Sequence, residues 1–213
     1  MDRLSDPAFN GRMPSSDHLH RPAVEPGQTL ENPVTGERFT FVHTAASTGG
    51  ELLAFELGLR PGGAVPLPHV HPVQTERFEV VAGLMRFRVG LRTRLARPGD
   101  VVEIAPGVMH GFANAGEEEA RVLVEVRPAL AMEEMFAEVV ELARAGRMTR
   151  RGLPRNPLEL ADLARRYDRE AHAPFLGVAA QRLLLAPLVF AARHPRAGLA
   201  AAAASGAGVA VLA

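Results

Sequence analysis

The 213-residue chain contains no cysteine, which excludes disulfides, thiolate metal ligands and cysteine nucleophiles. All 24 of its basic residues are arginine. Without lysine there is no Schiff-base chemistry on a side-chain amine, and the arginine bias reads as the mark of a GC-rich coding sequence. Net charge is also lacking: 24 acidic residues balance the basic ones, so no global field draws nucleic acid or an anionic membrane. The stretch from Arg144 to Arg169 holds eight arginines, but neither a helix-turn-helix signature nor interleaved aromatics, and nucleic-acid binding is not expected. Met1 to Gly27 has no apolar run of the secretory kind, so the expected location is the cytoplasm. The longest uncharged run, Ala197 to Ala213, is mostly Ala and Gly, a poor membrane anchor beside Leu or Ile.

What is present is a globular composition, 47% hydrophobic and 23% charged, long enough to bury a real core. Residues 1–36 read as an irregular, proline-containing N-terminal arm. From Glu37 short apolar alternations separated by turn residues predict strands at 38–43, 51–60, 76–81, 84–91, 101–104, 111–113 and 120–127, with Asn114-Ala-Gly116 as a turn. So dense a set of short strands suits a mainly β body of jelly-roll type, placed at residues 37–128. After Pro128 the period lengthens to about 3.6 residues. Met132, Met135, Phe136, Val139, Val140 and Ala143 form the packing stripe of one helix. Asn156-Pro157 begins a second, which runs to about Tyr167. Phe175 to Ala192 reads as a third, which Pro187 is expected to kink or interrupt. Residues 129–213 are therefore a helical extension, and its Ala- and Gly-rich end is a candidate for disorder.

Within the β body four residues have the makings of a metal site. His69 and His71 are two apart, so on extended chain both imidazoles leave one face. Glu76, at an odd spacing, would face the other way on an unbroken strand, but Pro72 predicts a bend that brings it back. His110 follows the Pro106-Gly107 turn and must arrive from a distant strand. His18-Leu-His20 repeats the spacing without a carboxylate block nearby, and His43, His172 and His194 read as ordinary histidines.

These residues sit in two blocks. The first runs from Gly63 to Gly83 and fits G-x5-H-x-H-x4-E-x6-G at every defined position. The second, Gly99 to Asn114, fits G-x5-P-x-G-x2-H-x3-N except that Ala105 stands for the first proline, a departure in the turn and not at a ligand. In this the chain resembles the cupin superfamily, and the fifteen residues between the blocks leave room for one tight hairpin. The resemblance covers residues 63–114. It implies a cupin-type jelly-roll β-barrel holding one divalent transition metal (Fe, Mn, Ni, Co, Cu or Zn) on His69, His71, Glu76 and His110.

Three neutral imidazoles and a carboxylate give site plus metal a charge of about +1, which favours an anionic or enolate ligand. A six-coordinate ion would keep two positions open. The function expected is a mononuclear metal-dependent oxygenase or dioxygenase on a small phenolic or enolic compound, similar to flavonol dioxygenase cupins, with Glu76 also the catalytic base. The alternatives are a redox-free isomerase or decarboxylase and a non-enzymatic binding or sensing module. Phe55, Phe87 and Phe112 are the candidate substrate-binding residues, with Phe41 and Met85 as further inward-facing candidates. Pairing of cupin barrels through their edges makes a homodimer the expected assembly.

Overall fold

The computed structural model describes residues 24–65, 67–175 and 177–194. The His18-Leu-His20 pair and the Ala- and Gly-rich end lie outside them. Among the described residues nine strands form two antiparallel sheets. They are β1 (Thr29–Glu31), β2 (Glu37–His43), β3 (Leu53–Leu59), β4 (Thr75–Ala82), β5 (Met85–Val89), β6 (Arg92–Ala96), β7 (Val101–Ile104), β8 (His110–Asn114) and β9 (Ala120–Arg127). The larger sheet has the order β1-β2-β3-β9-β4-β7, the smaller β6-β5-β8, and together they make the mainly β jelly roll.

Two-residue alternation decides which side chains enter the space between the sheets. Phe39 and Phe41 on β2, Leu53, Phe55, Leu57 and Leu59 on β3, and Val122, Val124 and Val126 on β9 are all buried. The register stacks them in rows: Phe55 faces Val124 and Leu57 faces Val122. On the other side of β9, Phe78 faces Val124 and Glu76 faces Val126. Glu76 is therefore in phase with Phe78 and Val80, an acid on an inward apolar face. The outward set is charged and paired, as with Arg121 and Glu56 at 3.4 Å.

The helices are α1 (Ala45–Thr48), α2 (Met132–Arg144), α3 (Pro157–Arg166) and α4 (Val178–Arg193). Asn156 caps α3 by accepting the N–H of Leu158 at 2.9 Å. Phe136 of α2 stacks on Phe39 with ring centroids 4.6 Å apart, which lays α2 against the barrel. A half-buried polar seam joins the helices: Glu138 accepts from Arg166 and from the Tyr167 hydroxyl at 2.9 Å, and Arg182 holds Asp168 at 2.7 and 2.8 Å.

Several elements differ from expectation. β1 lies inside the segment read as irregular; three residues closed by the Asn32–Gly36 turn are too few to show a period. β6 is the returning half of the hairpin, and β8 extends to His110 and Asn114. Of the two outcomes expected at Pro187, interruption does not occur: α4 runs through it as one helix. The missing N–H there frees the carbonyl of Leu183, a residue 77% exposed, so water can take the bond.

Gly83 closes the turn between β4 and β5 with φ +80°, and a Cβ there would come within 2.8 Å of the Ala120 backbone. Gly90 also has positive φ but meets nothing within 4 Å. Gly83→Ala is expected to cost about 2 kcal/mol in urea unfolding and Gly90→Ala about half that. Equal losses at the two sites would contradict the packing argument.

Candidate metal centre

His69 and His110 are cross-strand neighbours: each backbone N–H reaches the other's carbonyl, at 2.9 and 3.0 Å. The Pro106-Gly107 turn is tied to the same region by the Gly107 N–H, which donates to the His71 carbonyl at 2.8 Å. After His71 the chain leaves the extended path through Pro72 and Val73 and re-enters as β4 at Thr75. That break lets Glu76 share the inward face with the imidazoles. One ligand atom from each of His69, His71, Glu76 and His110 lies within 4.8 Å of the others, and all but His69 are buried.

The outer nitrogens explain the orientation of the rings. His69 Nδ1 lies 3.0 Å from the Leu67 carbonyl and His110 Nδ1 3.1 Å from the Val108 carbonyl. His71 Nδ1 is bonded to the carbonyl of Glu170. A carbonyl can only accept, so each Nδ1 carries a proton, and in the neutral ring, the form that binds metal, each Nε2 keeps a lone pair. Those Nε2 atoms converge on a carboxylate: Glu76 Oε2 is 2.9 Å from His110 Nε2 and 3.2 Å from His71 Nε2. His71 Nε2 is buried and has no hydrogen bond of acceptable direction. Facing lone pairs repel unless protons or a cation stand among them, and a divalent ion satisfies all four at once.

Without a metal a proton takes the cation's place: burial lowers the His71 pKa, but the hydrogen bond and charge of Glu76 outweigh it and raise it. Burial pushes the Glu76 carboxyl upward, but the hydrogen bond with His110 and the neighbouring His71 outweigh it and hold the acid well below the usual carboxylate range. For His69, loss of solvation and then the His110 and His71 imidazoles lower the pKa to about 3. It is thus neutral, the form that binds metal.

The cluster opens on a cavity of about 250 Å³. Phe39, Phe55, Leu57, Phe78, Phe112 and Val124 form its barrel walls. Its roof comes from the helical extension: Met132, Met135, Phe136 and Val139 of α2, then Leu153 and Pro154, then Leu160 and Leu163 of α3. Of the expected substrate-binding residues, Phe55 and Phe112 face this space. Phe87 does not line it; it is buried behind Phe78 and Phe112, at 5.1 and 6.2 Å, because β5 stands one strand further from the cavity than β8. Phe41 and Met85 are core residues outside the lining as well.

Two contributors escaped the sequence reading. The methionines and Phe136 of α2, read as a packing stripe, are also cavity roof, and nothing in a helical period distinguishes the two. Glu37 is the other. It is 6% exposed, in phase with Phe39 and Phe41, and lines the cavity. An acid on an otherwise apolar inward face was the signal available.

Residues 55–126 match the family model of the cupin domain, and the C-terminal helices follow that matched region. Germin-like protein subfamily 1 member 4 of Arabidopsis thaliana is 32% identical over 109 residues, 46% of this chain and 48% of that protein. The aligned part is thus about half the length of this curated relative. An RmlC-like cupin from Shewanella frigidimarina aligns at 20% identity with a TM-score of 0.44, over 55% of this chain and 96% of that one. A predicted oxalate decarboxylase from Thermotoga maritima aligns at 19% with a TM-score of 0.43, over 47% and 90%. Among the described residues no helix is long and apolar enough to cross a membrane.

Burial raises the Glu37 carboxyl to about 7, against the smaller lowering effect of its hydrogen bond from Thr35. An unfolded glutamate releases its proton near 4.5, so between these values the folded chain binds more protons and stability falls as pH rises. The loss is complete above the folded value. Glu37→Gln is expected to remove this slope, gaining about 3 kcal/mol relative to wild type between pH 4 and pH 8. Parallel stability curves for the two proteins would contradict it.

Proposed function

We propose that this protein is a mononuclear metal-dependent enzyme, an oxygenase or dioxygenase acting on a small phenolic or enolic compound. The observation that carries the reading is the convergence of three carbonyl-locked imidazoles and one carboxylate at the end of an apolar cavity. His69, His71, Glu76 and His110 would hold a divalent transition ion, which when bound supplies Lewis acidity and, for a redox-active metal, the electrons of oxygen chemistry.

The remaining work belongs to the chain. Phe55 and Phe112 give an aromatic substrate two ring faces to pack on. The roof of α2 and α3 keeps bulk water from the reacting end, which strengthens every charge interaction there. Glu76, held ionised, can accept the proton of a substrate hydroxyl and leave an anion facing a site whose net charge with metal rises from about +1 to about +2.

Protein purified without added metal is expected to carry one divalent ion per chain by elemental analysis. Its Fe, Mn, Ni, Co or Cu form should take up oxygen with at least one member of a phenolic panel. Glu76→Gln and His110→Ala should each lower metal affinity at least about 10-fold and abolish uptake. No uptake across all five metals would overturn the oxygenase reading, and turnover of the zinc form without oxygen would replace it with isomerase or decarboxylase chemistry.

A further inference from the structure

The cavity has polar side chains at two places, and the proposed function uses only one of them. Along its lining the ionisable groups are His69, His71 and Glu76 at one place and Glu37 at the other. Strand register sets them far apart. Glu37 faces Leu59, which faces Ala120 on β9; Glu76 faces Val126, six residues further along the same strand. At ~3.3 Å per residue the two rows are separated by about 20 Å along the strand. The wall between them is apolar, built by Phe39, Phe55, Leu57, Val124 and Phe136.

Glu37 is an expensive residue for this position. No cation is paired with it among the described residues. Its Oε2 accepts from the Thr35 hydroxyl at 2.8 Å, and its Oε1 accepts from no described residue. A carboxyl buried with no described cation beside it destabilises a fold, whereas leucine at this position would join Leu57 and Leu59. Holding the β1–β2 turn does not account for it either. Asn32 Oδ1 already takes the N–H groups of Val34 and Thr35, at 3.0 and 3.3 Å.

We propose that the cavity binds an elongated, largely apolar molecule at two poles, with a metal-binding oxygen at the histidine cluster and a distal hydroxyl that donates to Glu37. The first pole rests on the proposed function; the second rests on Glu37 alone. A diaryl phenol bearing a hydroxyl at each end has this chemistry, and one with a single hydroxyl offers the Glu37 carboxyl no donor. Glu37 is thus the specificity determinant between such pairs.

The test compares 4-hydroxystilbene with 4,4′-dihydroxystilbene by calorimetric titration, on full-length protein with and without zinc, in wild type, Glu37→Gln and Glu37→Leu. Wild type should prefer the dihydroxy probe about 10-fold, as one net hydrogen bond commands. Glu37→Leu should erase or reverse that preference while holding zinc as tightly as wild type and melting no lower. Glu37→Gln, which keeps a hydrogen-bond acceptor, should fall between. An equal ratio in wild type and Glu37→Leu, binding of neither probe by wild type, or a lower melting point in Glu37→Leu with loss of both probes would overturn the proposal. Failure of wild type to bind zinc sinks the metal reading instead, and the probe ratio in zinc-free protein still reports on Glu37.

Discussion

The structure turns on the three hydrogen bonds that fix the outer nitrogens of the site histidines to the carbonyls of Leu67, Val108 and Glu170. They set the tautomer of each ring and aim each inner nitrogen at Glu76. Without them the His-x-His spacing guarantees only that two imidazoles leave the same side of the chain. With them, four donor atoms face one point in a buried environment, an arrangement stable only when something positively charged occupies it.

One of those carbonyls belongs to the helical extension, which joins the extension to the chemistry. Beyond α3, His172 pairs with Val70 through two backbone hydrogen bonds of 3.0 and 3.1 Å, adding a short bridge to the segment that carries His69 and His71. Two residues earlier the Glu170 carbonyl orients His71, while its carboxylate accepts the Ala131 N–H at 3.0 Å, at the start of α2. The same helices roof the cavity. The barrel supplies the donors and half of the walls; the extension supplies the rest of the enclosure and part of the alignment.

How much of this was legible in the sequence follows from what is local. The strand faces at Phe55, Phe78 and Val124 come from two-residue alternation, and the α3 start from Asn156-Pro157, because each signal lies within a few residues of its consequence. The four donors were legible through spacing and the Pro72 break, and their grouping through the resemblance. Contacts made at long range were not. Alternation places Phe87 and Phe112 alike, yet only Phe112 reaches the cavity, since strand order decides which inward residue stands in front. Glu170 acts through its backbone carbonyl, which any residue type offers. The roof residues of α2 obey the same period whether they meet packed core or open space.

The central claim, one cation shared by four side chains, is tested most directly by anomalous diffraction from crystals of the protein as purified, collected across the absorption edges of the first-row transition metals. The account predicts a single peak per chain, about 2.0–2.2 Å from Nε2 of His69, His71 and His110 and from a carboxylate oxygen of Glu76. A peak coordinated elsewhere, or rings turned so that Nδ1 faces Glu76 with no peak among them, would contradict it.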